Sequence, residues 1–409
     1  MRHPAPFCPK EYAMYEDRPA RASTIPRSLG AALLMGGAAS FLLMAARRYG
    51  RERADEILDW DQITSIAGRA SVSAAPIPQE RLDAAADEYA AMLREISGPL
   101  SAYTGTEMAF TERDVRAVER REWIETNIGN FKELLAPFEQ AYREASGRGR
   151  ADWPGLTAVG RLALSGEVGM LMGYLARRVL GQYDISLLGA RAEDPGKLYF
   201  VEPNIEGVQT QLGLPAREFR VWLALHEATH AHEFEGHPWV REYLNSTLQR
   251  YLNAMLGQLH NGGGSIGGFV GNAVDRLLVG GTILEALLPP EQRQLVSQLQ
   301  ALMSLLEGYS THVMNAIGKR LLPHFEEIEY RVDVRSKRKS AAELLFLRLT
   351  GLQMKLDQYR LGNAFVSYIE EHRGIAFMNR VWDGPDFLPS EEEIREPERW
   401  VRRMERVAA

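Results

Sequence analysis

The chain has 409 residues, 45% hydrophobic and 25% charged, with a formal net charge of −6. That supplies apolar material for a large core, and no basic excess argues for a nucleic-acid partner. Its one cysteine, Cys8, excludes an intramolecular disulfide and disfavours a Cys-based zinc site or Cys/His catalysis, so any metal falls to histidine and carboxylate.

Residues 1–27 are rich in proline and charge without period and read as a disordered tail. Leu29–Ala46, "LGAALLMGGAASFLLMAA", carries no charge and just reaches the length of a membrane span. Alanine and glycine dilute its leucines, so two readings stand side by side: a single membrane anchor, or a buried or partner-facing helix. Arg21 and Arg27 before it and Arg47, Arg48 and Arg51 after it leave its orientation open. The expected organisation is an N-terminal extension over 1–55 and one large domain over 56–409. The expected location is cytoplasmic, or membrane-anchored through that helix.

From Asp59 onward the pattern is mainly helical. "PIPQERLDAAADEYAAMLREISGPL" places Leu82, Tyr89, Met92 and Ile96 at helical spacing, and the stretch from Thr111 continues in helices to near Gly147. "SGEVGMLMGYLARRVLGQYD" repeats glycine at 166, 169 and 173, the pattern of a helix packed closely on another. "KLYFVEPNI", Lys197–Ile205, is the clearest strand, stopped by Pro203. It is expected to be an edge strand able to pair with an extended peptide, with Asn204 either touching substrate or merely turning the chain. "NGGGSIGGFVGN", Asn261–Asn272, lacks the Lys-Ser/Thr ending of a phosphate loop and reads as a mobile loop. "RVDVRSKRKS", Arg331–Ser340, reads first as a solvated linker and second as a contact for an anionic surface.

The chemistry concentrates in "HEATHAHEFEGH", His226–His237. Pro215 and Glu218 mark the start of its helix, and Gly236 with Pro238 its end. His226 and His230 are four apart, so they stack on one face and can reach one ion. Glu227 lies about 100° round the helix. It is displaced from the ligand pair but placed to take a proton from a zinc-activated water. The competing reading is a histidine-rich solvated surface.

A catalytic zinc needs a third protein ligand and an open position. A metzincin would continue H-x-x-G-x-x-H, but Glu233 stands where glycine should and Gly236 where histidine should. His237 misses by one residue, and only a distorted turn would bring it in. His232 faces elsewhere, as a residue behind the ligands or at the surface; Glu233 and Glu235 either bond the ligands or face water. The search moves downstream to two glutamates. Glu285 reads first as a cap or surface acid. Glu307 sits in the apolar run "LMSLLEGYSTHVMNAIG", where a charge is costly unless paired or metal-bound. It is the expected third ligand; the alternative is an acid paired with a core arginine. Gly308 permits close approach of another helix. Tyr309 and His312, within a turn or so, are expected to support an oxyanion or orient ligands.

Seven ordered blocks carry a family likeness: "DWDQI", "GYLARRVLGQYD", "LYFVEPNI", "HEATHAHEFEG", "LLEGYSTHVMNAIG", "GLQMKLDQYRLGNAFV" and "VWDGPDFLPSEEEIREPERWVRRM". From Asp59 to the C-terminus the chain resembles the zincin-like metallopeptidases often labelled as associated with deazaflavin-coenzyme biosynthesis. No residue here supports that coenzyme link. The resemblance implies a mainly α, zincin-like fold with a small sheet or edge strand beside the H-E-x-x-H helix. It also implies peptidase activity with zinc on His226 and His230, Glu227 as base, and Glu307 at the third-ligand position. The chain departs at Asn315, where members often carry an acid, so no orienting role carries over there.

Two further functions share this constellation. One is a non-catalytic zincin-like interaction module whose structural or vestigial site is closed by His237 or Glu233. The other is a hydrolase of non-peptide amides. Nothing in the residues speaks to oligomeric state.

Overall fold

The computed structural model describes residues 57–72, 76–107, 110, 114–147, 158–184, 196–260, 289–337 and 352–407. Cys8, the apolar segment 29–46, the glycine-rich stretch 261–272 and Glu285 lie outside the described residues. Among those described, no helix is long and apolar enough to cross a membrane.

The chain is mainly α-helical with a three-stranded sheet. Helix α1 (Trp60–Ala70) starts at Asp59, whose side chain accepts the Gln62 N–H. Helix α2 (Gln79–Thr104) buries Leu82, Tyr89, Met92 and Ile96, as their spacing predicts. It closes at Gly105, whose φ of 77° suits glycine. The next segment is not helical throughout: Val115–Val118 forms strand β1 before α3 (Arg120–Gly147). Helix α4 (Ala158–Ala176) packs on α1 through two of its three spaced glycines. A Cβ on Gly169 would lie 2.9 Å from Ile66 Cβ, and one on Gly173 2.5 Å from Ala70 Cβ, whereas Gly166 meets open space.

Strands β2 (Gly181–Asp184) and β3 (Lys197–Val201) complete the sheet in the order β1-β3-β2. β3 runs parallel to β1 and antiparallel to β2. The strongest β-forming run is therefore the central strand and not an edge, because Leu198, Phe200 and Val201 are all buried. This removes the expected peptide-pairing role of β3. Asn204 is corrected too. It is buried in the first turn of α5 (Glu202–Leu212), where its Nδ2 donates to Ala176 O and Val179 O at 2.8 and 2.7 Å and its Oδ1 accepts Arg120 Nε. It fastens α4 to the sheet from within a helix rather than turning the chain.

Helix α6 (Ala216–Glu235) carries the histidines. Phe219, Val221, Leu223, Ala224, Leu225, Ala228, Ala231 and Phe234 are buried, so nearly every face is covered. It packs against α2, β2, α7 (Pro238–His260) and α8 (Pro290–Leu321). Near its start a two-pronged Arg220–Glu202 pair, at 2.7 and 2.8 Å, ties it to the end of the sheet. Then come α9 (Phe325–Lys337), α10 (Leu352–Arg373), α11 (Ile375–Met378), α12 (Glu391–Arg395) and α13 (Pro397–Val407). The basic run begins inside α9, not in a linker: Arg331 donates to the carbonyls of Leu212 and Gly213 and so caps α5. Residues 338–340 of that run lie outside the described residues.

One buried cluster joins α2, α6, α8, α10 and the C-terminal helices; a second joins α1, α3 and α4 beneath β1 and β3. The histidine helix belongs to the first.

Candidate metal centre

Residues four apart on a helix share a face, and α6 uses that rule at His226 and His230. Their rings lie 4.8 Å apart, edge to face at 82°. Opposite them, α8 presents Glu307. Its Oε2 is 3.9 Å from Nε2 of His226 and 3.9 Å from Nε2 of His230. The three donor atoms all lie within 4.8 Å of one another. Tetrahedral zinc with bonds of about 2.0–2.1 Å holds its ligand atoms about 3.3 Å apart. The triangle is slightly wide for that, by an amount side-chain rotation closes. Two imidazoles and one carboxylate are also the right donor chemistry. Among the described residues no arginine ion-pairs with Glu307, whose recorded charged neighbours are the two histidines.

Behind the donors, Glu233 is fully buried and its Oε2 stands 2.8 Å from Nδ1 of His230. In the neutral ring that a metal requires, Nδ1–H donating to this carboxylate leaves Nε2 as the lone-pair nitrogen facing Glu307. Glu227 is buried beside the donors against β2. A Cβ on Gly181 would lie 2.5 Å from Glu227 Oε1, and the Tyr183 backbone amide works to lower the Glu227 carboxyl against its burial.

Three carboxylates and two imidazoles thus share a poorly solvated space. Burial, reinforced by Glu307, pushes the Glu227 carboxyl up to about 7 and the Glu233 carboxyl likewise to about 7. Burial with its neighbour His230 drives His226 down to about 3, favouring the neutral imidazole that ligates metals. Burial also disfavours charge on His230, but Glu233, Glu307 and Glu227 outweigh it and raise that group to about 10. The site is thus acid-rich, with clustered anions that a divalent cation would relieve.

A family model described as zincin-like metallopeptidase matches residues 58–401. The chain belongs to that family. Its crystallised relative from Chloroflexus aurantiacus, described as a candidate hydrolase with a novel fold, is 39% identical. That alignment covers 85% of this chain and 99% of the relative, with a TM-score of 0.63. No curated protein matches. Membership implies a metal, and the His226, His230 and Glu307 group is the one set of metal-ligating geometry among the described residues.

Within this family frame, the remaining candidates find other places. His237 stacks on Trp382, with centroids 5.2 Å apart and planes 11° apart, and stands outside the donor group. His232 is fully buried edge-on to His237, so it is neither a surface residue nor a partner of the ligands. Glu235 accepts from Tyr183, Gly196 and Arg241 rather than from a ligand. Tyr309 is fully buried and donates to Asn379 at 2.8 Å. His312 bridges Tyr103 at 2.9 Å and Ser367 at 3.0 Å, where α2, α8 and α10 meet. Both side chains bond to neighbouring helices in this structure, and neither belongs to the donor group. The supports from Gly181 and Tyr183 went unread in the sequence. Their one signal was a glycine inside the short β-forming run "GQYD".

Proposed function

We propose that the chain is a zinc-dependent peptide hydrolase of the gluzincin arrangement, with His226, His230 and Glu307 as ligands and Glu227 as general base. One observation carries the reading. Two helices far apart in sequence bring two imidazoles and a carboxylate together, and a separate buried carboxylate stands beside them. Bound zinc supplies a Lewis acid that polarises the scissile carbonyl and acidifies water. Glu227 takes the proton of the attacking water and returns it to the leaving amine. Glu233 holds His230 in the tautomer that leaves Nε2 for the metal. Glu227 and Glu233 are buried while the three donors stay partly exposed, so the base and the support of His230 are shielded from water at a centre that substrate can reach.

The non-catalytic alternative needs a fourth protein ligand. Its two candidates are engaged elsewhere, His237 on Trp382 and Glu233 on His230 Nδ1. The test is metal content beside cleavage of a broad peptide library. The wild-type protein should bind zinc stoichiometrically and cleave. Glu227→Gln should keep its zinc and lose turnover by about 10³-fold, within the range of general-base catalysis. Glu307→Ala should lose zinc affinity. Full turnover by zinc-loaded Glu227→Gln removes the base, and unchanged affinity in Glu307→Ala removes the third ligand.

A further inference from the structure

We propose that strand β2 is the seat of the general base: Gly181 and Tyr183 set where the Glu227 carboxylate stands, and Glu235 with Arg241 fix that strand on α6. The inference rests on the reading of Glu227 as base. It makes Gly181 and Tyr183 positioning residues, acting through Glu227.

Gly181 is the first part of the seat. A Cβ there would lie 2.5 Å from Glu227 Oε1 and 2.7 Å from its Cδ and Cγ. The carboxyl group fills the volume that any other residue at 181 would need. Glycine inside a strand forfeits packing and chain entropy, and a close approach of this kind is what accounts for it. Tyr183 is the second part. It lies two residues on, so it shares Gly181's side of the strand, and its backbone amide works against burial in holding the Glu227 carboxyl down. One residue withholds a side chain and the other supplies a donor, and both act on Glu227.

The strand is itself held. The Tyr183 hydroxyl donates to Glu235, two turns beyond Glu227 on the same helix. Arg241 donates to Glu235 and, at 3.2 Å, to the Tyr183 oxygen. Gly196 N–H donates to Glu235 Oε1 at 3.0 Å. A Cβ on Gly196 would lie 2.3 Å from Tyr183 Cζ, so a second glycine makes room for the ring. The ring also stacks on Phe234 of α6, with centroids 5.9 Å apart. Tyr183 and Arg241 are both buried. Arg241 neutralises Glu235, so the clamp adds no net anion to a site already rich in them. α6 thus grips β2 near its C-terminal end, and β2 in turn grips the base one turn from the metal ligand His230.

The test reads backbone amide exchange in the full-length zinc-loaded protein, beside steady-state cleavage. In the wild type the Tyr183 amide should be protected by Glu227. Glu227→Ala should speed its exchange about tenfold, the factor expected for one lost charge-assisted hydrogen bond. The Val201 amide, which donates to Leu180 O at 2.8 Å, should not change and so reports that the sheet is intact. Gly181→Ala should also free the Tyr183 amide and keep zinc affinity. It should lower kcat about 10- to 100-fold with KM little altered, as for a misplaced catalytic group. Equal Tyr183 exchange in wild type and Glu227→Ala overturns the proposal, as does wild-type kcat in Gly181→Ala. If Gly181→Ala does not fold, the Glu227→Ala exchange decides alone. If the wild type cleaves no peptide, the hydrolase reading falls while amide exchange still settles the seat.

Discussion

Glu233 is one of two residues, with Gly236, that break the metzincin pattern, and its position gives it another task. Three residues beyond His230 on the same helix, it reaches Nδ1 at 2.8 Å, which a glycine there could not do. Glu233→Gln keeps the shape and weakens the acceptor. Zinc affinity measured by competition with a chromophoric chelator should fall about 10- to 100-fold, the usual effect of losing a carboxylate behind a ligating histidine. Unchanged affinity would mean that packing alone orients His230. The meeting of His226, His230 and Glu307 was legible because its signals are local: a four-residue period in one case, an acid inside an apolar run in the other. For Tyr309 and His312, nearness to Glu307 in sequence does not by itself give nearness to the donors in space. They follow Glu307 by two and five residues, which turns them roughly 200° and 140° round the helix.

At the scale of elements, the placement of Glu307 depends on how α8 crosses α10. The residue after it, Gly308, would put a Cβ 2.1 Å from the carbonyl carbon of Gly362, and a Cβ on Gly362 would lie 1.8 Å from Ser304 O. Neither contact can be relieved by rotating a side chain, since both partners are backbone. Gly308→Ala or Gly362→Ala should therefore cost about 3 kcal/mol or more in denaturant unfolding, the upper range for overpacking, and should weaken zinc binding by moving Glu307. Gly166→Ala on α4, where a Cβ meets open space, should be neutral or mildly stabilising through helix propensity. A loss from Gly166→Ala as large as from Gly308→Ala would refute the crossing argument. Gly308 was readable in sequence as a site of close approach, but its partner Gly362 was not, because one chain pattern does not say which helices meet. The strands show the same limit. β3 was visible from its run of β-formers, whereas β1 and β2, four residues each, vanish beside long helical periods and take their order from tertiary packing.

For the whole molecule, the mainly α character with a small sheet was legible from periodicity, whereas the enclosure of α6 on nearly all faces was not. A helix covered all round loses its one-sided pattern. That enclosure has a thermodynamic consequence. The ligands come from α6 and α8, two helices of one buried cluster, so an ion joining them binds the folded state and not the unfolded chain. At free zinc 100 times the dissociation constant, the gain is about 2.7 kcal/mol. For a domain this large it should raise Tm by about 5 °C. The shift between zinc-loaded and chelator-treated protein should persist in Glu227→Gln, because the base is not a ligand. It should shrink sharply in Glu307→Ala, where two imidazoles on a single helix remain and the ion no longer bridges α6 to α8. A full shift in Glu307→Ala would place the third ligand elsewhere and return the choice to Glu285 or His237.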